Sequence, residues 1–72
     1  MNFNNIVSQL VQIGEVQFLP SEEPGRIFCQ LALYPELHKR NSYRDIISIR
    51  NNAEDALSNI YDVAVKRGFI QG

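Results

Sequence analysis

Residues 26–34, RIFCQLALY, constrain the fold more than any other stretch of this chain. Proline stops them at position 35, and Gly25 precedes them. Between these breakers the side chains alternate. Ile27, Cys29, Leu31 and Leu33 share one side, and Phe28, Gln30, Ala32 and Tyr34 share the other, which is the period of an extended strand. Such a strand needs partners for its backbone and a layer to cover at least one face.

The rest of the chain offers both. Residues 15–19, EVQFL, alternate briefly, with Val16 and Phe18 on one side, and Pro20 ends the run. The connection PSEEPG at 20–25 is turn-rich, because proline fixes φ and Gly25 tolerates positive φ. Residues 43–50, YRDIISIR, read as a third strand with Ile47 and Ile49 on one side and Ile46 and Ser48 on the other, reached through a loop at 35–42.

Helical spacing flanks the strands. Phe3, Ile6, Val7, Leu10 and Val11 recur at i, i+3, i+4, i+7, i+8 and predict a helix over 3–13, with Gly14 as a left-handed stop. Asn52 is positioned as the N-cap of a second helix. Glu54 and Asp55 in its first turn suit the positive end of the helix dipole, and Lys66 and Arg67 suit the other end. Gly68 followed by Phe69 predicts a Schellman stop.

The expected architecture is α+β, in the order α-β-β-β-α: a three-stranded antiparallel sheet with two helices packed on one face, in a single domain spanning 1–72. The expected core is Ile6, Val7 and Leu10, then Ile27, Leu31, Leu33, Ile47 and Ile49, then Leu57, Ile60 and Ala64. The composition, 44% hydrophobic, is that of a globular chain. No apolar run approaches the roughly 20 residues a membrane span needs. The N-terminal MNFNNIVSQLVQIG lacks a basic region followed by a long apolar block, so a signal peptide is not expected. A lone cysteine fits a reducing compartment, with the cytoplasm the simplest home.

The order of elements resembles the double-stranded-RNA-binding domain. That family grips phosphates with a basic cluster at the start of its second helix, and uses its first helix and a strand-connecting loop on the RNA minor groove. The matching stretch here is NNAEDALS, where Glu54 and Asp55 stand in place of lysines, so the resemblance implies the fold without that contact. Gln9 and Gln12 occupy the first helix.

Three functional classes follow. The first is catalysis, for which Cys29 with His38 is the one nucleophile pair conceivable. Cys29 lies among Ile27 and Leu31 and reads as a small core hydrophobe, and the acid pairs Glu22–Glu23 and Glu54–Asp55 have roles in a turn and a helix start. No metal-ligand spacing or glycine-rich phosphate loop is present. The expectation is a non-enzyme without cofactor or metal.

The second class is nucleic-acid binding. LHKRNSYR at 37–44 gathers His38, Lys39, Arg40, Tyr43 and Arg44, and Arg50, Lys66 and Arg67 would extend the patch if the fold brought them together. Against this, the net charge is −1, and charged strand connections also discourage unwanted pairing.

The third class is protein docking. Helices on one face leave the other sheet face open, and that face is expected to carry Phe28, Ala32, Tyr34 and Ile46, more apolar than water alone requires. The favoured partner is another protein or a second copy of the chain, received on this face or at an edge strand.

Overall fold

The computed structural model describes residues 3–38 and 44–70. The elements run α1 (Phe3–Leu10), β1 (Gly14–Pro20), β2 (Ile27–Leu33), α2 (Pro35–His38), β3 (Asp45–Arg50) and α3 (Ala53–Lys66). The strands form one antiparallel sheet in the order β1-β2-β3. The expected α+β class therefore holds, and β2 is the central strand. α1 and α3 pack against each other and on one face of the sheet, with α3 lying across β2 and β3. The Cα extents, 36 × 25 × 17 Å, are those of two layers.

The register fixes which side chains meet. Val16, Leu31 and Ile46 form one cross-strand row and Phe18, Cys29 and Ser48 the next, both on the helix-covered face. Leu31 and Cys29 are completely buried there beneath Ala56, Leu57, Ile60 and Ala64 of α3 and Ile6 and Leu10 of α1. Burying side chains of this size contributes about 1.5–3 kcal/mol each.

β3 corrects one expectation. Ile46 is 3% exposed and belongs to the core, while Ile47 is 48% exposed and Ile49 lies beside it on the open face. The strand carries apolar residues on both parities, so alternation alone could not orient it. Pairing with β2 does, because Leu31 and Cys29 take Ile46 and Ser48 as same-face neighbours, and a one-residue slip would reverse every side chain. Ser48 gives α3 a small neighbour, at the cost of a buried hydroxyl.

The ends of elements show which local signals decided them. α1 stops at Leu10 rather than at 13; the next residues tighten into i→i−3 bonds, with Gln12 donating to Gln9 (3.3 Å) and Ile13 to Leu10 (3.1 Å). Gly14 is the first residue of β1 and not a left-handed stop. A Cβ there would fall 2.4 Å from the Ala32 carbonyl oxygen, so close backbone approach is what requires glycine. Residues 35–38, expected as loop, make one helical turn begun by Pro35, and Leu37 donates to the Tyr34 carbonyl (2.9 Å). α3 matches its signals. The Asn52 side chain accepts from the Asp55 amide (2.8 Å). At the other end Gly68 (φ 83°) donates to Val65 and Phe69 to Ala64, a complete Schellman stop.

Candidate docking surface on the open sheet face

The helix-free face is built of three cross-strand rows. Leu19, Phe28 and Ile49 form the row beside the 21–25 turn, Gln17, Gln30 and Ile47 the middle row, and Glu15, Ala32 and Asp45 the last. The face therefore grades from apolar to polar along the strands. Gln30 Nε2 donates to Asp45 Oδ2 (2.9 Å), tying the polar end together.

The apolar end is shaped into a cleft. Phe28 and Ile49 make its floor, and Pro20, Ser21, Glu22 and Glu23 its wall, enclosing about 320 Å³. Short-range bonds hold the wall. Ser21 Oγ accepts from the Glu23 amide (3.1 Å), Arg26 donates its amide to the Glu23 carbonyl (3.2 Å), and the Arg26 Nε–Glu23 Oε2 ion pair spans 3.2 Å. Gly25 at φ 77° supplies the left-handed residue that closes the turn. Two carboxylates, Glu22 and Glu23, thus border an apolar floor.

The expected interface residues separate. Phe28 is in the cleft. Ala32 is half-buried in the polar row, between Glu15 and Asp45. Tyr34 lies beyond the end of β2, exposed, with its hydroxyl donating to the Val11 carbonyl (2.9 Å) and its amide to Ile13; it latches the α1–β1 turn and stands outside the apolar row. Ile46 is in the core. Leu19, Ile47 and Ile49 replace it on the open face, and cross-strand register, invisible to alternation, is what selects them.

Among the described residues the basic groups are dispersed. Arg44 and Arg50 stand at opposite ends of β3, about 20 Å apart at the usual strand rise. Arg50 donates to the Ile49 carbonyl shortly before the Asn52 cap of α3, while Lys66 and Arg67 lie at that helix's far end, about 20 Å along it. His38 closes α2, and Lys39, Arg40 and Tyr43 lie outside the described residues.

Cys29 is wholly buried, and burial pushes its thiol above the usual cysteine range, which makes it a poorer nucleophile. Among the described residues no three His, Cys, Asp or Glu side chains are grouped to hold a metal, and no helix is long and apolar enough to cross a membrane. Comparisons with protein-family models, with curated proteins and with solved structures returned no match.

Proposed function

We propose that this chain is a non-catalytic docking module whose open sheet face receives a segment of a partner protein. The observation that carries the reading is the apolar row Leu19–Phe28–Ile49, flanked by Ile47, on the face that the helices leave uncovered. An apolar floor with a polar border is the anatomy of an interface centre, where one anchoring side chain provides most of the affinity. The cleft has room for one such anchor, and Glu22, beside the Glu23–Arg26 ion pair, favours a neighbouring Lys or Arg on the partner.

Selection of displayed peptides against the immobilised protein, followed by calorimetric titration, tests this. The expected winners carry a large apolar residue next to a cation, bind more weakly at high salt, and lose at least tenfold in affinity to Ile47→Lys. A selection that enriches nothing, or peptides indifferent to Ile47→Lys, overturns the proposal.

A further inference from the structure

The open face carries charge of one sign. Among its strand positions Glu15 and Asp45 are acidic and none is basic. Arg44 and Arg50 belong to the other alternation of β3, that of Ile46 and Ser48. Arg26, at the rim, is already engaged with Glu23 (3.2 Å). Glu15, Glu22 and Asp45 have no cation paired with them among the described residues. The whole chain is only −1, so the acids are segregated here rather than in general excess. They stand at both ends of the face. Glu22 borders Phe28 and Ile49, and Glu15 and Asp45 flank Ala32, about 13 Å away along the strands.

The face offers an incoming chain no backbone partners. Tyr34 donates to the Ile13 carbonyl and Leu33 to the Arg44 carbonyl (both 3.0 Å), so the backbone groups of Val16, Phe18, Ile47 and Ile49 point sideways from the two edges. Gln30, in the middle of the face, is committed to Asp45 (2.9 Å). An extended segment laid on Phe28, Ile47 and Ile49 would bury its own N–H and C=O groups unpaired. A helix satisfies them internally. Strands about 4.8 Å apart put β1 and β3 roughly 10 Å from each other, the width of one helix. The 14-residue α3 already covers β2 and β3 on the opposite face.

We propose, resting on the docking reading above, that the partner segment is a basic amphipathic helix laid along the strands of the open face, with a cation at each end of its apolar stripe. The stripe covers the Leu19–Phe28–Ile49 row and Ile47, with one large side chain in the cleft and a Lys or Arg beside it at Glu22. A second Lys or Arg, two turns along, reaches Ala32, whose small side chain leaves room between Glu15 and Asp45. Seven helical residues rise about 10.5 Å and return to the same side, and the stem of a long cationic side chain spans the remainder. The bond from Gln30 orients the Asp45 carboxylate before the partner arrives. The distal cation then decides which apolar helices are accepted.

Two displayed libraries of 16-residue segments, one free of proline and one with proline at every fifth position, test this on the intact protein. The first should enrich segments with apolar residues at i, i+3 or i+4, and i+7 and a cation at each end, and their circular dichroism should gain helix on binding. The second should yield nothing of comparable affinity. Replacing the distal cation of a winning peptide by glutamine should weaken binding to the native protein about three- to fivefold. The same replacement should have no effect on binding to the doubly substituted Glu15→Gln, Asp45→Asn protein, in which the new amide at position 45 keeps an oxygen for Gln30. Winners that depend on Ile47 but bind without helix, or whose distal cation is indifferent to the two substitutions, overturn this proposal and leave the docking reading standing. No enrichment from either library overturns both.

Discussion

Ser48 is the residue at which this fold gives up stability. It sits opposite Cys29 under α3, 3% exposed, and its hydroxyl has no hydrogen-bond partner among the described residues. Leaving a buried hydroxyl unsatisfied costs about 1–3 kcal/mol. Alanine removes that cost and keeps the side chain small enough for α3 to lie where it does. Ser48→Ala should therefore stabilise the protein by about 1 kcal/mol, a rise of roughly 4–8 °C in Tm for a domain of this length. Thermal unfolding followed by circular dichroism checks it, and a fall in Tm would mean that the hydroxyl has a role that the packing does not reveal. The residue was not legible beforehand, since serine on a strand signals neither burial nor exposure until the opposing strand is known.

At the scale of elements, legibility tracked how many independent signals pointed the same way. α3 has an Asn cap, acids in its first turn, an apolar face through Leu57, Ile60 and Ala64 and a Gly-Phe stop, and its bounds and both caps are where these place them. β2 had strict alternation between breakers. β3 had neither, because Ile46, Ile47 and Ile49 populate both faces and counting isoleucines chose the wrong one. On the open face Phe28 can be placed from its own strand, whereas Leu19, Ile47 and Ile49 depend on register. Gly14 looks like a stop in the sequence because a glycine after a helical pattern usually is one; its contact with Ala32 is a tertiary fact. The corrected orientation of β3 has a direct test in a matched pair of substitutions. Threonine retains β-branching at both sites. Ile46→Thr should cost about 3 kcal/mol, through lost apolar volume and a hydroxyl placed in the core, while Ile47→Thr stays within about 0.5 kcal/mol. Denaturant titration of the two variants decides between the faces, and equal costs would reject the observed register.

For the molecule as a whole, the controlling fact is that two helices cover one face of a three-stranded sheet, so only β2 has strand neighbours on both sides. A 72-residue chain buries only about 60% of the surface that its unfolded form exposes, and its stability is correspondingly modest. Local opening should then follow the sheet's geometry. In dilute protein, amide hydrogen exchange should be slow throughout β2 and should alternate in the edge strands. Tyr34 donates to the Ile13 carbonyl, so Gln17 and Leu19 turn their amides toward β2 and exchange slowly, while Val16 and Phe18 point outward and exchange fast. Ile47 and Ile49 repeat the fast positions on β3. Equal exchange rates at Gln17 and Val16 would reject this alternation.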